Sequence, residues 1–503
     1  MKIALITEGT YPLATGGVST WCDQLVTGMP EHEFHLVALT GGDAGRPVWK
    51  LPTNVRSVSL VPVWGPAVSP LRHGNRRRYA LEAVQYELTR LWDAALGSDA
   101  ADPVGRTENA LRHLVDISNR VGLARALATR GSVEPILTAW TRHLVGTGEE
   151  PMSVADAVMT ASIVDRALAL VDRRLSGMDV IHASSNGPSS LIALSQSWRH
   201  GTPILLTEHG VYLRERYLAL YGADFSWPVR RAVTAFLRRL CQVAVTSAHM
   251  VLPVNRFNAR WERRLGARPE RIHTITNGVD PAKFEPVTTE PELPTISFVG
   301  RIDPLKDLGT LISAFALVRQ RIPNAQLRIF GPTPAENVGY RAGLIRQTET
   351  LGITDAVHWE GPTKGSRPAI AAGHVVALSS VSEGLPFTLI EAMMCGRATV
   401  NTDVGGVAEC LDDEHTAGML VDARDAAAFA DACITLLTDP KLRAAMGAAA
   451  RRRALAEFTL ERCLARYHEA YAAARDRVLF EHPGPLPATA PFSVDKAALG
   501  LSV

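Results

Sequence analysis

Residues able to do chemistry gather in a few short stretches. The most specific reads Ser382-Glu383-Gly384-Leu385-Pro386-Phe387-Thr388-Leu389-Ile390-Glu391, just after an apolar run from Val375 to Leu378. Pro386 suits the first turn of a helix, where its missing N–H costs nothing. The tight turn before it would leave backbone N–H groups at the helix start free for a ligand's oxygens. Glu383 on the loop and Glu391 on the helix could then face one ligand, Glu383 at sugar hydroxyls and Glu391 at a ribose diol. By themselves, two glutamates would equally suit a helix cap and a solvated carboxylate.

The second stretch, Gly300-Arg301-Ile302-Asp303-Pro304-Leu305-Lys306, follows a strand-like run from Thr295 to Val299. Arg301 offers a planar fork and Lys306 a point charge, a pair suited to a diphosphate without a metal. In a third, Gly16 and Gly17 would let the backbone approach a phosphate at a following helix N-terminus. Gly405-Gly406 with Glu409 behind repeats that pattern. In a fourth, His209 lies just past a strand running from Ile204 to Thr207, at the rim of a cleft. The adjoining Arg214, Glu215 and Arg216 read equally as a solvated ion-pair face and as part of a site.

The elements that must hold these residues alternate between strand and helix. The first half has strand patterns at Ile3 to Thr7, Phe34 to Thr40, Val180 to Ala183, Ile204 to Glu208, Val243 to Thr246 and Ile272 to Thr276, with a helix from Val18 to Gly28. An Arg- and Ala-rich stretch at about 70–175, with helices at Ala80 to Ala95 and Ala155 to Leu175, interrupts them. A linker with Pro286, Pro291 and Pro294 precedes a second run, with strands at Thr295 to Val299, Gln326 to Phe330, Val357 to Glu360, Val375 to Leu378 and Ala398 to Thr402. Helices are expected at Ala426 to Leu437, Pro440 to Glu457 and Leu460 to Val478. The expected division is an N-terminal domain over 1–285, a C-terminal domain over 286–465, a returning helix over 466–480 and a flexible tail over 481–503. Two doubly wound α/β domains would place ligands at the carboxyl ends of their strands, in the cleft between them.

Composition bounds the function. The 503 residues carry 53 Lys+Arg against 51 Asp+Glu, a net charge of +2, which argues against a nucleic-acid binder. No apolar run reaches the roughly 18 residues of a membrane-spanning helix. The N-terminal apolar run ends at Glu8, too short for a signal peptide. The six cysteines form no Cys-x-x-Cys pair and read as reduced thiols of a cytoplasmic protein. Gly-x-Gly-x-x-Gly, Gly-Lys and Asp-x-Asp are all absent, which excludes the dinucleotide fingerprint, the P-loop and the usual carboxylate pair for a diphosphate-bound metal. The scattered arginine doublets and triplets read as solvated helix faces, with a weak membrane-surface contact as the alternative.

In this order, over about residues 1–480, these stretches resemble family 4 of the retaining glycosyltransferases. The opening Ala4-Leu5-Ile6-Thr7-Glu8-Gly9-Thr10-Tyr11-Pro12, the Gly-Gly-Val-Ser-Thr-Trp run ending at Trp21, Thr207-Glu208-His209-Gly210 and Arg214-Glu215-Arg216 are similar to the PelF-type branch, associated with bacterial exopolysaccharide synthesis. The resemblance implies the GT-B fold, two Rossmann-like domains facing across a cleft, here with a helical insertion in the first. It implies retaining transfer of a hexose, glucose or an N-acetylhexosamine, from a UDP-sugar to a saccharide acceptor. The base and the transferred sugar come from the resemblance and not from any single residue.

The resemblance also assigns roles. Arg301 and Lys306 would neutralise the donor diphosphate, and Glu391 would hold the ribose. Glu383 and the backbone of Gly384, Leu385, Pro386 and Phe387 would bind the transferred sugar. His209 would sit at the reaction centre, and Gly16 and Gly17 beside the phosphates. No metal or other cofactor is expected. The implied setting is the cytoplasm, at the inner face of the membrane beside a membrane-bound polysaccharide synthase complex. A disaccharide phosphorylase or synthase on the same fold, or a nucleotide-sugar-binding scaffold without turnover, are the alternatives.

Overall fold

The computed structural model describes residues 1–42, 45–63, 75–97, 101–127, 130–412 and 416–478. The expected tail over 481–503 lies outside them. Two six-stranded parallel sheets organise the chain. The first comprises β1 (Lys2–Glu8), β2 (Glu33–Thr40), β3 (Val55–Pro62), β4 (Val180–Ala183), β5 (Ile204–Glu208) and β6 (Met250–Pro253), in the order β3-β2-β1-β4-β5-β6. The second comprises β7 (Thr295–Val299), β8 (Gln326–Phe330), β9 (Val357–Gly361), β10 (Val375–Leu378), β11 (Ala398–Thr402) and β12 (Met419–Val421), in the order β12-β11-β10-β7-β8-β9. Strand order reverses at β1/β4 and at β7/β10, and a crevice opens at the carboxyl ends of such pairs. Glu8 ends β1 and Ser184 follows β4 in one pair; Gly300 follows β7 and Ser379 follows β10 in the other.

The central strands form because they are apolar on both faces, as parallel strands covered by helices must be. Ile3, Ala4, Leu5 and Ile6 are fully buried in β1, as is Val375 in β10. The expected helical insertion fills the space between β3 and β4 with helices Asn75–Leu96, Pro103–Val121, Leu123–Leu127, Val133–His143 and Val154–Leu168. They share one core with the sheet and with helix Trp227–Ser247 through Leu88, Trp92, Leu111, Trp140, Val164 and Phe236.

Several expected elements change. The strand placed at Val243 to Thr246 is the end of helix Trp227–Ser247, and the sixth strand is Met250–Pro253. Val243, Ala244 and Val245 are all buried there, so the helix loses its polar stripe and its last turn reads as a strand. The strand at Ile272 to Thr276 is reduced to one bridge between Val251 and Ile272. β3 and β12 went unexpected; β3 is an edge strand in which only Val61 is buried, and β12 has three residues. The helix expected over Ala155 to Leu175 ends at Leu168 and continues as a 3-10 turn to Asp172.

The chain crosses between domains twice, and the crossings touch. Val279 donates to the Phe458 carbonyl at 2.9 Å, and Leu460 donates to the Val279 carbonyl at 3.0 Å. Gly278 must lack a side chain here, since a Cβ would lie 2.6 Å from the Thr459 carbonyl oxygen. After the second crossing, the whole of helix Leu460–Asp476 packs on the N-terminal sheet, starting earlier than the expected residue 466. Its buried stripe is Cys463, Tyr467, Ala470, Tyr471 and Ala474, at helical spacing. Its polar anchor is His182 of β4, which is buried between the Tyr471 hydroxyl at 2.7 Å and the Thr207 hydroxyl at 2.8 Å.

Tyr471→Ala should therefore destabilise the N-terminal domain by about 3–5 kcal/mol, the usual cost of deleting a buried ring. Tyr471→Phe should cost about 1–3 kcal/mol, because it leaves His182 without one partner. Guanidinium unfolding followed by tryptophan fluorescence checks both; equal losses would show that packing alone matters.

Candidate active site

A cavity of about 530 Å³ lies between the carboxyl ends of the two sheets. Its C-terminal wall is built by two loops. The loop after β7 brings Gly300, Arg301, Asp303 and Leu305, then Lys306 on a 3-10 turn capped by Asp303. The loop after β10 brings Ser382 through Thr388. Lys306 and Glu383 form an ion pair with Nζ–Oε1 at 2.5 Å, and the Ser380 hydroxyl donates to the same oxygen at 2.6 Å. Arg301 is half-exposed and stands 3.8 Å from Asp303. Helix Phe387–Met394 begins beside this pair with Pro386 as its N-cap and no side-chain cap, so its first N–H groups stay open.

The N-terminal wall comes from the ends of β1, β4 and β5. Gly16, Gly17 and Val18 start the first helix, Gly17–Gly28. A Cβ at Gly17 would sit 3.5 Å from the Phe387 ring, so this loop meets the opposite domain across the cleft. His209 lines the cavity with its ring edge-on to Trp21, centroids 4.6 Å apart. Burial lowers its pKa to about 3, so the imidazole is neutral. Its Nε2 has no hydrogen-bond partner.

This wall also holds carboxyl groups. Glu8, Glu208 and Glu215 line the cavity together with Tyr212 and Arg216. Burial raises Glu8 to about 7, opposed by Arg216. Burial raises Glu208 to about 8, opposed by the Tyr212 N–H that it accepts at 2.8 Å. Burial also raises Glu215, opposed by Arg216 and Arg214. Glu215 and Arg216 are exposed, as a solvated ion-pair face would be, but the solvent they meet is that of the cavity they line. Arg214 instead crosses to the other domain, donating to the Ser382 hydroxyl at 2.6 Å. A signal for this wall existed: Glu8 and Glu208 are charges at the ends of two strands, and Tyr212 and Arg216 are four apart on the helix that follows the second.

The two walls touch. A Cβ on Gly384 would lie 1.6 Å from the His209 carbonyl oxygen, so only glycine fits. Asn277 donates to the Leu385 carbonyl at 2.7 Å. Glu409, beside Gly405-Gly406, accepts the N–H groups of Arg256 and Phe257 at 2.7 Å each, capping a helix of the other domain. That pair of glycines and Glu409 thus join the domains and do not line the cavity.

Of the residues expected from sequence, Gly16, Gly17, His209, Arg301, Lys306, Glu383, Gly384, Leu385, Pro386 and Phe387 come together in one cavity. Glu391 does not line it. Its carboxyl is buried and its pKa raised, with the Ser366 hydroxyl opposing the rise. Among the described residues one group of three candidate metal ligands meets, Glu31, His32 and His468, and it is outside the cavity lining. All six cysteines are free and buried.

Residues 280–453 match the family described as glycosyl transferases group 1. Residues 1–270 match a family described as a domain of unknown function, DUF3492. The D-inositol 3-phosphate glycosyltransferase of Salinispora arenicola is 32% identical over 327 residues, 61% of this chain and 71% of that protein. The alpha-maltose-1-phosphate synthase of Mycolicibacterium smegmatis is 28% identical over 353 residues, 63% of this chain and 86% of that protein. Among solved structures, Anabaena HepE in complex with UDP superimposes with a TM-score of 0.59 at 16% identity, covering 94% of this chain and all of that one. Sucrose-phosphate synthase from Thermosynechococcus elongatus superimposes with a TM-score of 0.61 at 18% identity, covering 94% and 98%. These two share the architecture of facing α/β domains, and the fold is GT-B.

The buried carboxyls predict a pH dependence. Glu8 and Glu208 keep protons in the folded chain at pH values where an unfolded glutamate has lost them, so their contribution to stability fades as pH rises towards about 7 and about 8. His182 and His209 act in the opposite sense, with folded values of about 3, but only below the ordinary histidine value of 6.5. Between pH 6.5 and 8 the histidine contribution is flat, and Glu8 and Glu208 act together with Asp165, which burial also raises to about 7. The denaturation midpoint should fall across that window, and Glu208→Gln should flatten the fall; a midpoint rising with pH there would contradict the assignment.

Proposed function

The chain belongs to the group 1 glycosyltransferases, with a DUF3492 N-terminal half, and we propose that it moves a hexose from a UDP-sugar to a carbohydrate acceptor with retention of configuration. The hexose is glucose or an N-acetylhexosamine. One observation carries this reading: Arg301, Lys306, Glu383 and an uncapped helix start share one cavity between two facing α/β domains. The leaving group is a nucleoside diphosphate, so the transition state builds negative charge on phosphate. Fixed cations and a helix N-terminus stabilise that charge without reorganising. A lysine ammonium has three donors, so Lys306 can keep Glu383 and still bond a phosphate oxygen. Arg301 and Lys306 supply the countercharge that a metal would otherwise bring, and the chain has no Asp-x-Asp. The Anabaena neighbour's bound UDP agrees with a uridine donor.

In the proposed step the bond between the anomeric carbon and the β-phosphate oxygen breaks. The acceptor oxygen bonds to the same face, and its proton passes to the departing phosphate oxygen. A double displacement would need an ionised carboxylate at the anomeric carbon. Glu383 is held by Lys306, and burial keeps Glu8 and Glu208 substantially protonated near neutral pH, which makes them poor nucleophiles. Glu383 takes sugar hydroxyls, and the neutral His209 gives or takes one hydrogen bond beside the reaction centre. Glu391 takes the ribose hydroxyls, whose donated hydrogen bonds would offset the cost of its buried charge. The Gly16-to-Trp21 run and the helical insertion support a PelF-type role in exopolysaccharide synthesis at the inner membrane face, beside a membrane-bound synthase. No described helix is long and apolar enough to cross a membrane.

Calorimetry with UDP, GDP and ADP in the presence of EDTA tests the donor: UDP should bind and the others should not. Lys306→Ala should weaken UDP binding by roughly tenfold to a hundredfold, the loss of one charge-assisted hydrogen bond. Unchanged affinity would remove Lys306 from the diphosphate site. His209→Ala should lower turnover at least about tenfold while UDP affinity stays within a factor of about three. A wild-type rate would remove His209 from the reaction centre.

A further inference from the structure

We infer that the N-terminal wall of the cleft binds an uncharged carbohydrate acceptor through its hydroxyl groups and discriminates against phosphorylated sugars. This rests on the transferase reading above and narrows its acceptor. The names of the curated relatives, built on inositol 3-phosphate and maltose 1-phosphate, would suggest the opposite.

The argument starts from unmet hydrogen bonds. Glu208 is 1% exposed and lines the cavity. Its Oε1 accepts the Tyr212 N–H, but its buried Oε2 has no partner. The buried Oε2 of Glu8 and Nε2 of His209 are likewise unpartnered, and both residues line the same cavity. A buried polar atom left unpaired costs about 1–3 kcal/mol. Sugar hydroxyls both donate and accept, so one pyranose edge can satisfy carboxyls and a neutral imidazole alike. A phosphate dianion only accepts, so it can take a proton from a neutral carboxyl but leaves the wall's lone pairs unmet, and it is repelled by each carboxyl that has lost its proton.

Cations on this wall do not redress the balance. Arg216 is the one guanidinium of the wall in the lining, 5.5 Å over the Tyr212 ring. Arg214 spends a guanidinium nitrogen on Ser382. Arg301 and Lys306 stand on the opposite wall, at the donor diphosphate. Past Glu8, Tyr212 and Arg216 the cleft adjoins a second cavity of about 520 Å³ under the helical insertion. Leu39, Val164, Leu220 and Phe236 help line it, and its charged lining residues are again Glu8 and Arg216. An acceptor reaching into it finds no new countercharge for a phosphate.

The test is a panel of acceptors with UDP-glucose and with UDP-N-acetylglucosamine, following UDP release above donor hydrolysis. Glucose, maltose and N-acetylglucosamine are compared with glucose 1-phosphate, glucose 6-phosphate and inositol 3-phosphate. At least one neutral sugar should accelerate release, with kcat/KM tenfold or more above every phosphorylated member. Glu215→Gln removes one carboxylate and should narrow that ratio at least threefold. A phosphorylated sugar equal to or better than the neutral ones would overturn the inference. So would a ratio unmoved by Glu215→Gln, or a panel in which no sugar of either kind accelerates release. Absent UDP binding by calorimetry would mark a failure of the donor reading instead, whereas retained UDP binding with a phosphorylated preference would sink the acceptor inference alone.

Discussion

The cleft depends on one close approach of backbone to backbone. Gly384 lies so near the His209 carbonyl that any Cβ would overlap it, and this contact brings the loop after β10 against the loop after β5. Around it, Asn277 holds the Leu385 carbonyl and Arg214 holds Ser382. The two domains therefore close against each other here, and the Oε2 atoms of Glu8 and Glu208 and the Nε2 of His209 are buried from water beside the contact. Excluding water strengthens every electrostatic interaction inside and makes every unpaired charge costly. The raised carboxyls of Glu8, Glu208 and Glu215 and the neutral imidazole of His209 follow from that exclusion.

The same seam separates two chemistries. Arg301, Lys306 and the open start of helix Phe387–Met394 make one wall receptive to negative charge. Carboxyl groups make the other wall receptive to hydrogen-bond donors. A glycosyl transfer needs such a division, because a polyanion must leave while a neutral hydroxyl attacks. The helix returning from the C-terminal domain braces the N-terminal wall from behind: Tyr471 bonds His182, His182 bonds Thr207, and Thr207 directly precedes Glu208, which ends β5, and His209 just past it. Side-chain positions at the cleft are thus tied to a helix more than two hundred residues away in sequence.

Much of the donor wall was legible in the residues. Short-range chemistry writes itself locally: a proline near a helix start, a glycine turn, and a lysine a few residues from an arginine all act within one loop. The acceptor wall was less legible. Glu8 looked like the end of an apolar run, and Glu215 and Arg216 looked like a solvated face, because the cavity that gathers them is lined by residues far apart in the chain. Glu391 stands apart. Its helix faces the cleft at its start, but the residue itself is half-buried, bonded to Ser366 and outside the lining. The strand expected at Val243 to Thr246 failed because an all-round buried helix end carries no period that separates it from a strand.

By itself the sequence determined two runs of alternating strand and helix, an inserted helical block and the glycine, cation and glutamate stretches of the donor loops. These follow from side-chain periodicity and turn chemistry, which are local properties. Tertiary structure alone decided which charged groups are buried together, how far each is shifted from its solution behaviour, and which wall meets which ligand. Those depend on desolvation and on distances between residues far apart in the chain, and neither exists until the two sheets face each other.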